Sequence, residues 1–326
     1  MVPAPSSPPS TAKLVAGFTA VYLIWGSTYL AIRFGVETLP PFLMAATRFV
    51  IPGAILYAWF RRRGAARPTG AQWRAATVSG SLLLLGGNGI VTWAEQWVPS
   101  GLTALIIASV PLWMAAMSWV VEPGARPGPR GIAGIVVGFA GVAYLVEPGG
   151  ELGADRATLL GALSIVLASA LWAAGSLTSR HLPRPDNAFL ASSMQMLGGS
   201  AALALAGTLS GEWGRVDLAA VSTRSAVSLL YLMTFGSVIA LSAYVWLMKV
   251  STPAKVSTYA YVNPVVAVFL GWALAGESVT GRTGAAAAVI IASVVMITTE
   301  RKASRQEAAP SPAATAAAAV RSASRR

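Results

Sequence analysis

The sequence predicts an all-α integral membrane protein of ten transmembrane helices, arranged as two inverted five-helix repeats. Charged residues make up 11% of the 326 positions, against roughly 25% in an average soluble domain. Hydrophobic residues reach 55% and fall in blocks of about 20, the length that crosses ~30 Å of hydrocarbon at ~1.5 Å per helical residue. The third observation is an internal similarity between the two halves, taken up below.

Residues 1–13 are rich in Pro and Ser and read as a disordered cytoplasmic tail. The apolar run after Lys13 is too long for a signal-peptide core and lacks a small-residue cleavage site, so it is read as a retained first span. Spans are expected near 14–34, 41–60, 73–94, 100–120, 131–147, 158–179, 189–209, 225–247, 255–275 and 283–299. These group into repeats over 14–147 and 158–299, and residues 300–326 read as a disordered basic cytoplasmic tail. The connections are too short to hold a soluble catalytic domain. With the amino terminus in the cytoplasm, eighteen Lys and Arg fall on that side and five on the other, with Arg48 inside a span. That imbalance supports an even number of spans and a multi-pass inner (plasma) membrane protein with both termini cytoplasmic.

Chemistry is narrowed by what is missing. One histidine and no cysteine leave too few ligands for zinc, copper or iron–sulfur sites and no thiol chemistry, so neither metal nor cofactor is expected. There is no HExxH, no GxSxG and no pair of mid-membrane aspartates, and His181 lies in a loop; an enzyme is not expected. No selectivity-filter repeat or ring of charges supports a channel, which stays the alternative from another class. The net charge of +12 is explained by topology rather than nucleic acid. The expected partners are a small-molecule substrate and the lipid bilayer, with the chain a monomer or a homodimer.

A shift of 147 positions lays Trp25 on Trp172, Arg33 on Arg180 and Arg48 on Gln195, and a shift of 153 lays Pro111 on Pro264 and Gly131 on Gly284. Two halves of five helices follow. Because five is odd, the second half enters the membrane from the opposite side, which gives two half-structures able to exchange conformations.

The run Trp25-Gly26-Ser27-Thr28-Tyr29, the stretch PFLMAATR from Pro41 to Arg48, and TPAKVSTYAYVNPVVAVFLGWALAGE from Thr252 to Glu277 resemble the EamA-type transporters of the drug/metabolite transporter superfamily. The resemblance spans about residues 13–299. It implies a ten-helix inner-membrane carrier with a central cavity between the repeats, usually an exporter of small metabolites. Glu122 departs from the pattern, standing two places out of register with Glu277.

Candidate binding residues come from helical spacing. Tyr22, Trp25, Tyr29 and Arg33 share one face of the first span, and Ser169, Trp172, Ser176 and Arg180 form the matching stripe on the sixth. The two stripes are expected to face each other across the cavity; ordinary interhelical packing is the competing reading. Arg48, about 12 Å inside the second span, either binds a substrate carboxylate or acts as a structural tie to carbonyls, Glu37 or Glu95, the tie being preferred. Gln195 is its repeat mate. Asn88 heads a stripe with Thr92 and Glu95, while Lys255, Tyr259 and Asn263 share a face of the ninth span, and Tyr244 of the eighth completes the set. Pro111 and Pro264 are candidate hinges, or static kinks. Small-residue faces Gly134/Gly138 and Gly284/Ala288/Ala292 suit close packing within the monomer or, less favoured, a dimer contact.

All twelve acidic residues fall in loops, tails or span ends, so no carboxylate is expected at mid-membrane. This favours neutral, zwitterionic or anionic metabolites, amino acids and relatives first, with a multidrug exporter of lipophilic compounds as the alternative. Facilitated diffusion, exchange and coupling through Glu95 all stay open.

Overall fold

Residue types at the ends of the apolar blocks start and stop the helices. The structure, a computed structural model, describes residues 10–122, 126–146 and 155–307. Most of both expected tails, together with Glu147 and Glu151, lies outside the described residues. The helices are α1 (Thr11–Gly35), α2 (Pro41–Arg62), α3 (Gly70–Ala94), α4 (Ser100–Val121), α5 (Pro129–Val146), α6 (Arg156–His181), α7 (Ala188–Leu209), α8 (Thr223–Val250), α9 (Tyr259–Ala275) and α10 (Gly281–Glu307). Among the described residues, nine are long and apolar enough to cross a membrane and α9 is a shorter apolar helix. This is an all-α integral membrane protein.

Polar side chains accept the free N–H groups at several helix starts. Thr69 and Gln72 form a reciprocal capping box on α3. The carboxylate of Asp155 accepts from Thr158 N at 2.9 Å and Thr158 Oγ1 at 2.6 Å at the start of α6. Asn187 Oδ1 accepts from Phe189 N and Leu190 N on α7, and Ser222 Oγ accepts from Ser225 N on α8. Gly276, at φ +65°, closes α9 in the left-handed region that favours glycine, and lets Glu277 N reach back to Gly271 O at 3.0 Å.

Five spans depart from the simple reading. α3 and α8 each carry a π-helical segment, Ser81–Gly89 and Leu232–Ile239, at matching places in the two repeats. α4 is interrupted at Ala108–Ser109, just before Pro111, which has no N–H to offer a preceding carbonyl. The ninth span begins at Tyr259 rather than 255, because Pro253–Val256 forms a separate turn. Lys255 therefore does not share a continuous helical face with Tyr259 and Asn263. α10 continues through Glu307, into the segment read as a tail, where Ala, Arg, Lys and Glu are good helix formers.

Neighbours follow a rule: α1 packs on α8 and α9, and α6 packs on α3 and α4. Adding five to each label of the first repeat, and subtracting five from each of the second, turns one set of pairs into the other. The large pair α3 with α7 turns into α8 with α2, and the pairs α2 with α7, α5 with α10 and α4 with α9 map onto themselves. Each helix in these pairs runs opposite to its mate. A Cβ on Gly134 would meet Ile297, one on Gly138 would meet Ser293, one on Gly141 would meet Val289, and Arg282 Nε donates to Tyr144 O at 3.1 Å. The glycine face of α5 thus packs within the chain, as expected. On α10 the outcome differs: Gly284, Ala288 and Ala292 are exposed while Ala286, Ile290, Val294 and Ile297 are buried. The larger side chains fill the space the α5 glycines vacate.

Candidate functional site

Trp25 sits where α1, α8 and α9 meet. Its ring centroid lies 5.3 Å from Tyr244 and 5.2 Å edge-on from Tyr259, and the two tyrosines are 6.0 Å apart. The indole N–H donates to Gly236 O at 3.2 Å, in the π segment of α8. One turn back, the Tyr22 hydroxyl bonds Thr258 Oγ1. Asn263 is buried, and with its amide assigned in the orientation that satisfies both its oxygen and its nitrogen, the nitrogen donates to Tyr22 O and Tyr259 O at 3.2 Å. Five of the candidate residues, Tyr22, Trp25, Tyr244, Tyr259 and Asn263, therefore form one connected group. Ring pairs of this kind contribute about 0.5–1.5 kcal/mol each beyond area burial.

The mate of Trp25 is placed by the same logic in the other half. A Cβ on Gly87 would lie 2.4 Å from Cε3 of Trp172, so the π segment of α3 receives that indole as the π segment of α8 receives Trp25. Trp25 and Trp172 thus each pack against the third helix of the other half. A glycine-bearing π segment lies against each tryptophan. Such segments recur at functional sites. Asn88 lies in the α3 segment, half-buried, and its carbonyl accepts from Thr92 Oγ1 at 2.8 Å. Gln195 donates to Ser79 Oγ at 3.0 Å, binding α7 to α3, and Ser176 is half-buried on α6.

A second group surrounds Arg48, which is 6% exposed. Its guanidinium carbon lies 4.7 Å from the Phe49 ring centroid, and Nε and Nη1 have no hydrogen-bond partner. The preferred reading of a structural tie is not what is found: among the described residues Arg48 forms no ion pair, and Glu37 is taken by Arg224 at 3.0 Å. Glu95, directly after α3, is 0% exposed with neither carboxylate oxygen bonded. Tyr29, Arg48 and Glu95 lie within electrostatic reach of one another. Glu95 stands at a span end, as the sequence reading placed it, but it is fully buried there, which that reading did not include. Glu95 ends an apolar block and so looks like an interfacial residue, but Arg33 of α1 bonds its carbonyl and the start of α6 packs on the adjoining Ala94 and Val98.

Two more carboxylates are used as clasps. Glu277 accepts from Ser100 N at 2.7 Å, Ser100 Oγ at 2.8 Å and Gly101 N at 2.9 Å, holding the start of α4. Glu212, 1% exposed, accepts from Phe42 N at 3.2 Å and Leu43 N at 2.9 Å, holding the start of α2. Glu122 has no comparable partner among the described residues. Further contacts between halves sit at the same end: Ser222 N to Thr38 Oγ1 at 3.2 Å and Ser225 Oγ to Phe34 O at 2.7 Å. Sequence spacing gave no sign of these clasps, since each joins residues more than 150 positions apart.

Of the candidate hinges, Pro111 borders the interruption of α4, whereas Pro264 lies within the unbroken Tyr259–Ala275 helix. Among the described residues no group of three or more His, Cys, Asp or Glu could hold a metal ion. An apolar groove of 410 Å³ lined by Val142, Val146, Leu159 and Leu163, among others, offers no polar handle. The polar chemistry is concentrated around Trp25, Arg48 and Glu95.

The sequence profile described as the EamA-like transporter family matches residues 13–146 and again 159–299. An uncharacterized inner membrane transporter of Escherichia coli, YedA, is 39% identical over 269 residues, covering 82% of this chain and 84% of that protein. An uncharacterized transporter of Archaeoglobus fulgidus is 29% identical over 258 residues, covering 77% and 86%. A solved protein crystal structure, 24% identical, superimposes with a TM-score of 0.60 and covers 92% of this chain and 100% of that one, a likeness of fold.

Proposed function

From the premise that this chain belongs to the EamA-like transporter family, we propose that it is a secondary transporter that exports small polar metabolites by alternating access. A transporter role is common to its named relatives; cargo, direction and mechanism are this proposal. The observation that carries it is the packing of three helix pairs, one helix from each half and running in opposite directions: Leu43 against Gly207, Gly134 against Ile297 and Ser100 against Glu277. Two inverted halves of similar stability can exchange conformations about a shared centre, so that a site between them opens to one side at a time. The proposed orientation puts both termini in the cytoplasm and the clasped end, where α1 and α3 finish, on the outside. In this orientation the structure is closed to the outside.

Amino acids and related neutral, zwitterionic or anionic compounds are the first cargo class. Arg48 carries unpartnered donors suited to a carboxylate, and the Trp25, Tyr244 and Tyr259 rings supply an apolar wall. A second reading, export of lipophilic cations, is favoured by the burial of Glu95. Purified protein in liposomes, loaded with an amino-acid mixture or with a quaternary ammonium ion, separates the two by counterflow. Saturable amino-acid exchange supports the first reading, exchange of the ammonium ion alone supports the second, and a non-saturable leak of both refutes a carrier.

A further inference from the structure

Glu95 stands apart from every other acidic side chain described here. Glu37 is paired with Arg224, Glu212 and Glu277 clasp helix starts, and Asp155 caps α6. Glu95 is fully enclosed, with both carboxylate oxygens bare. An ionised carboxylate without donors is strongly disfavoured in such surroundings, whereas a neutral carboxylic acid is tolerated far better.

Two cationic neighbours act in favour of a negative charge on Glu95, yet neither bonds its carboxylate. Arg33 of α1 donates through Nη1 to the backbone carbonyl of Glu95, not to its carboxylate. Arg48 of α2, whose charge acts on Glu95, keeps Nε and Nη1 unbonded. Tyr29 of α1 also lies within electrostatic reach. From the α9–α10 connection comes Glu277, a second carboxylate whose charge opposes ionisation of Glu95. α6, packed on the last turn of α3, brings Gly161, Ala162 and Ile165, which carry no charge.

We infer that Glu95 is a proton-binding site: its carboxyl group holds a proton while this end of the bundle is closed and gives it up to water when the end opens. The step is one O–H bond, formed at a carboxylate oxygen with a proton from water and broken on release; no electrons move. Ionised Glu95 feels the charge of Glu277, whose carboxylate holds the start of α4. Deprotonation thus sets two like charges against each other at the clasp and favours opening. The presence of the site is independent of the transport reading, while its use in moving a proton in step with a solute rests on it.

The test is an infrared difference titration of the full chain in phosphatidylcholine vesicles, following the C=O stretch of a protonated, non-hydrogen-bonded carboxylic acid. The wild type is expected to show a band that disappears as the pH is raised. Glu95→Gln should lose the band completely, Glu95→Asp should keep it at a displaced pH, and Glu37→Gln should leave it unchanged. Elution of each variant as a single species checks the fold. A titrating band that persists in Glu95→Gln, or a well-folded wild type with no such band, overturns the inference. Solute counterflow on the native protein is scored separately. Flux without the Glu95 band removes only the proton site, and the band without flux removes only the carrier reading.

Discussion

Replacing Glu277 by Ala takes away the acceptor for Ser100 N, Ser100 Oγ and Gly101 N. The hydroxyl can rotate toward another acceptor, but the two backbone N–H groups at the first turn of α4 cannot, and Ser100 is 0% exposed. Each bond to a charged group is worth about 1.5–3 kcal/mol net, and a carboxylate at a helix N-terminus adds about 0.3–1 kcal/mol. Glu277 is itself partly exposed, so solvent screening reduces the sum by roughly half. The expected loss is about 2–4 kcal/mol for Glu277→Ala and about 1–2 kcal/mol for Glu277→Gln, which keeps one acceptor oxygen. Gly271→Ala attacks the same contact from the other side, since a Cβ there would lie 2.3 Å from Glu277 Oε2. Reversible unfolding in mixed micelles measures all three. Glu122→Ala, at the nearly corresponding place in the first repeat, should leave the midpoint unchanged. If Glu277→Ala unfolds at the wild-type midpoint, the clasp contributes nothing and the reasoning is refuted.

Trp25→Ala removes two ring contacts and a hydrogen bond, costs about 2–4 kcal/mol, and is expected to lower counterflow at least tenfold while the protein still inserts; unchanged flux makes Trp25 a packing residue. Gly87→Ala forces a methyl into the Trp172 ring and should cost about 1–3 kcal/mol, with Trp172→Leu relieving part of it in the double variant; additive losses contradict the contact. At Asp155 the hydroxyl and then the N–H of Thr158 hold the carboxyl below the usual aspartate range. Its folded-state value is depressed, so the cap is fully present above the unfolded value and is lost as pH falls through the folded one. Exchange protection of the Thr158 amide should fall over that acidic window in the wild type and not in Asp155→Asn; an identical pH response in both argues against it. The chain has no cysteine, so Arg62→Cys and Lys302→Cys report topology without background. Both should be labelled by a membrane-impermeant thiol reagent from the cytoplasmic side only, and labelling from opposite sides sinks the ten-span orientation.

Element identity was legible in the chain because crossing hydrocarbon is a local requirement. Each span must satisfy its own backbone and present about twenty apolar residues, so the apolar blocks sufficed to locate the nine long helices found among the described residues, and α9 was displaced only by the turn at Pro253–Val256. The Trp25 stripe was visible for the same reason, as spacing along one helix. Burial of Glu95, the clasps made by Glu212 and Glu277, the unpartnered guanidinium of Arg48 and the π segments that receive Trp25 and Trp172 were not. Those depend on which helix ends meet across the bundle, and a carboxylate at the end of an apolar block has the same sequence context whether water or another helix covers it. Composition and periodicity determined that the chain spans the membrane as helices; only tertiary packing decided which charges lost their water.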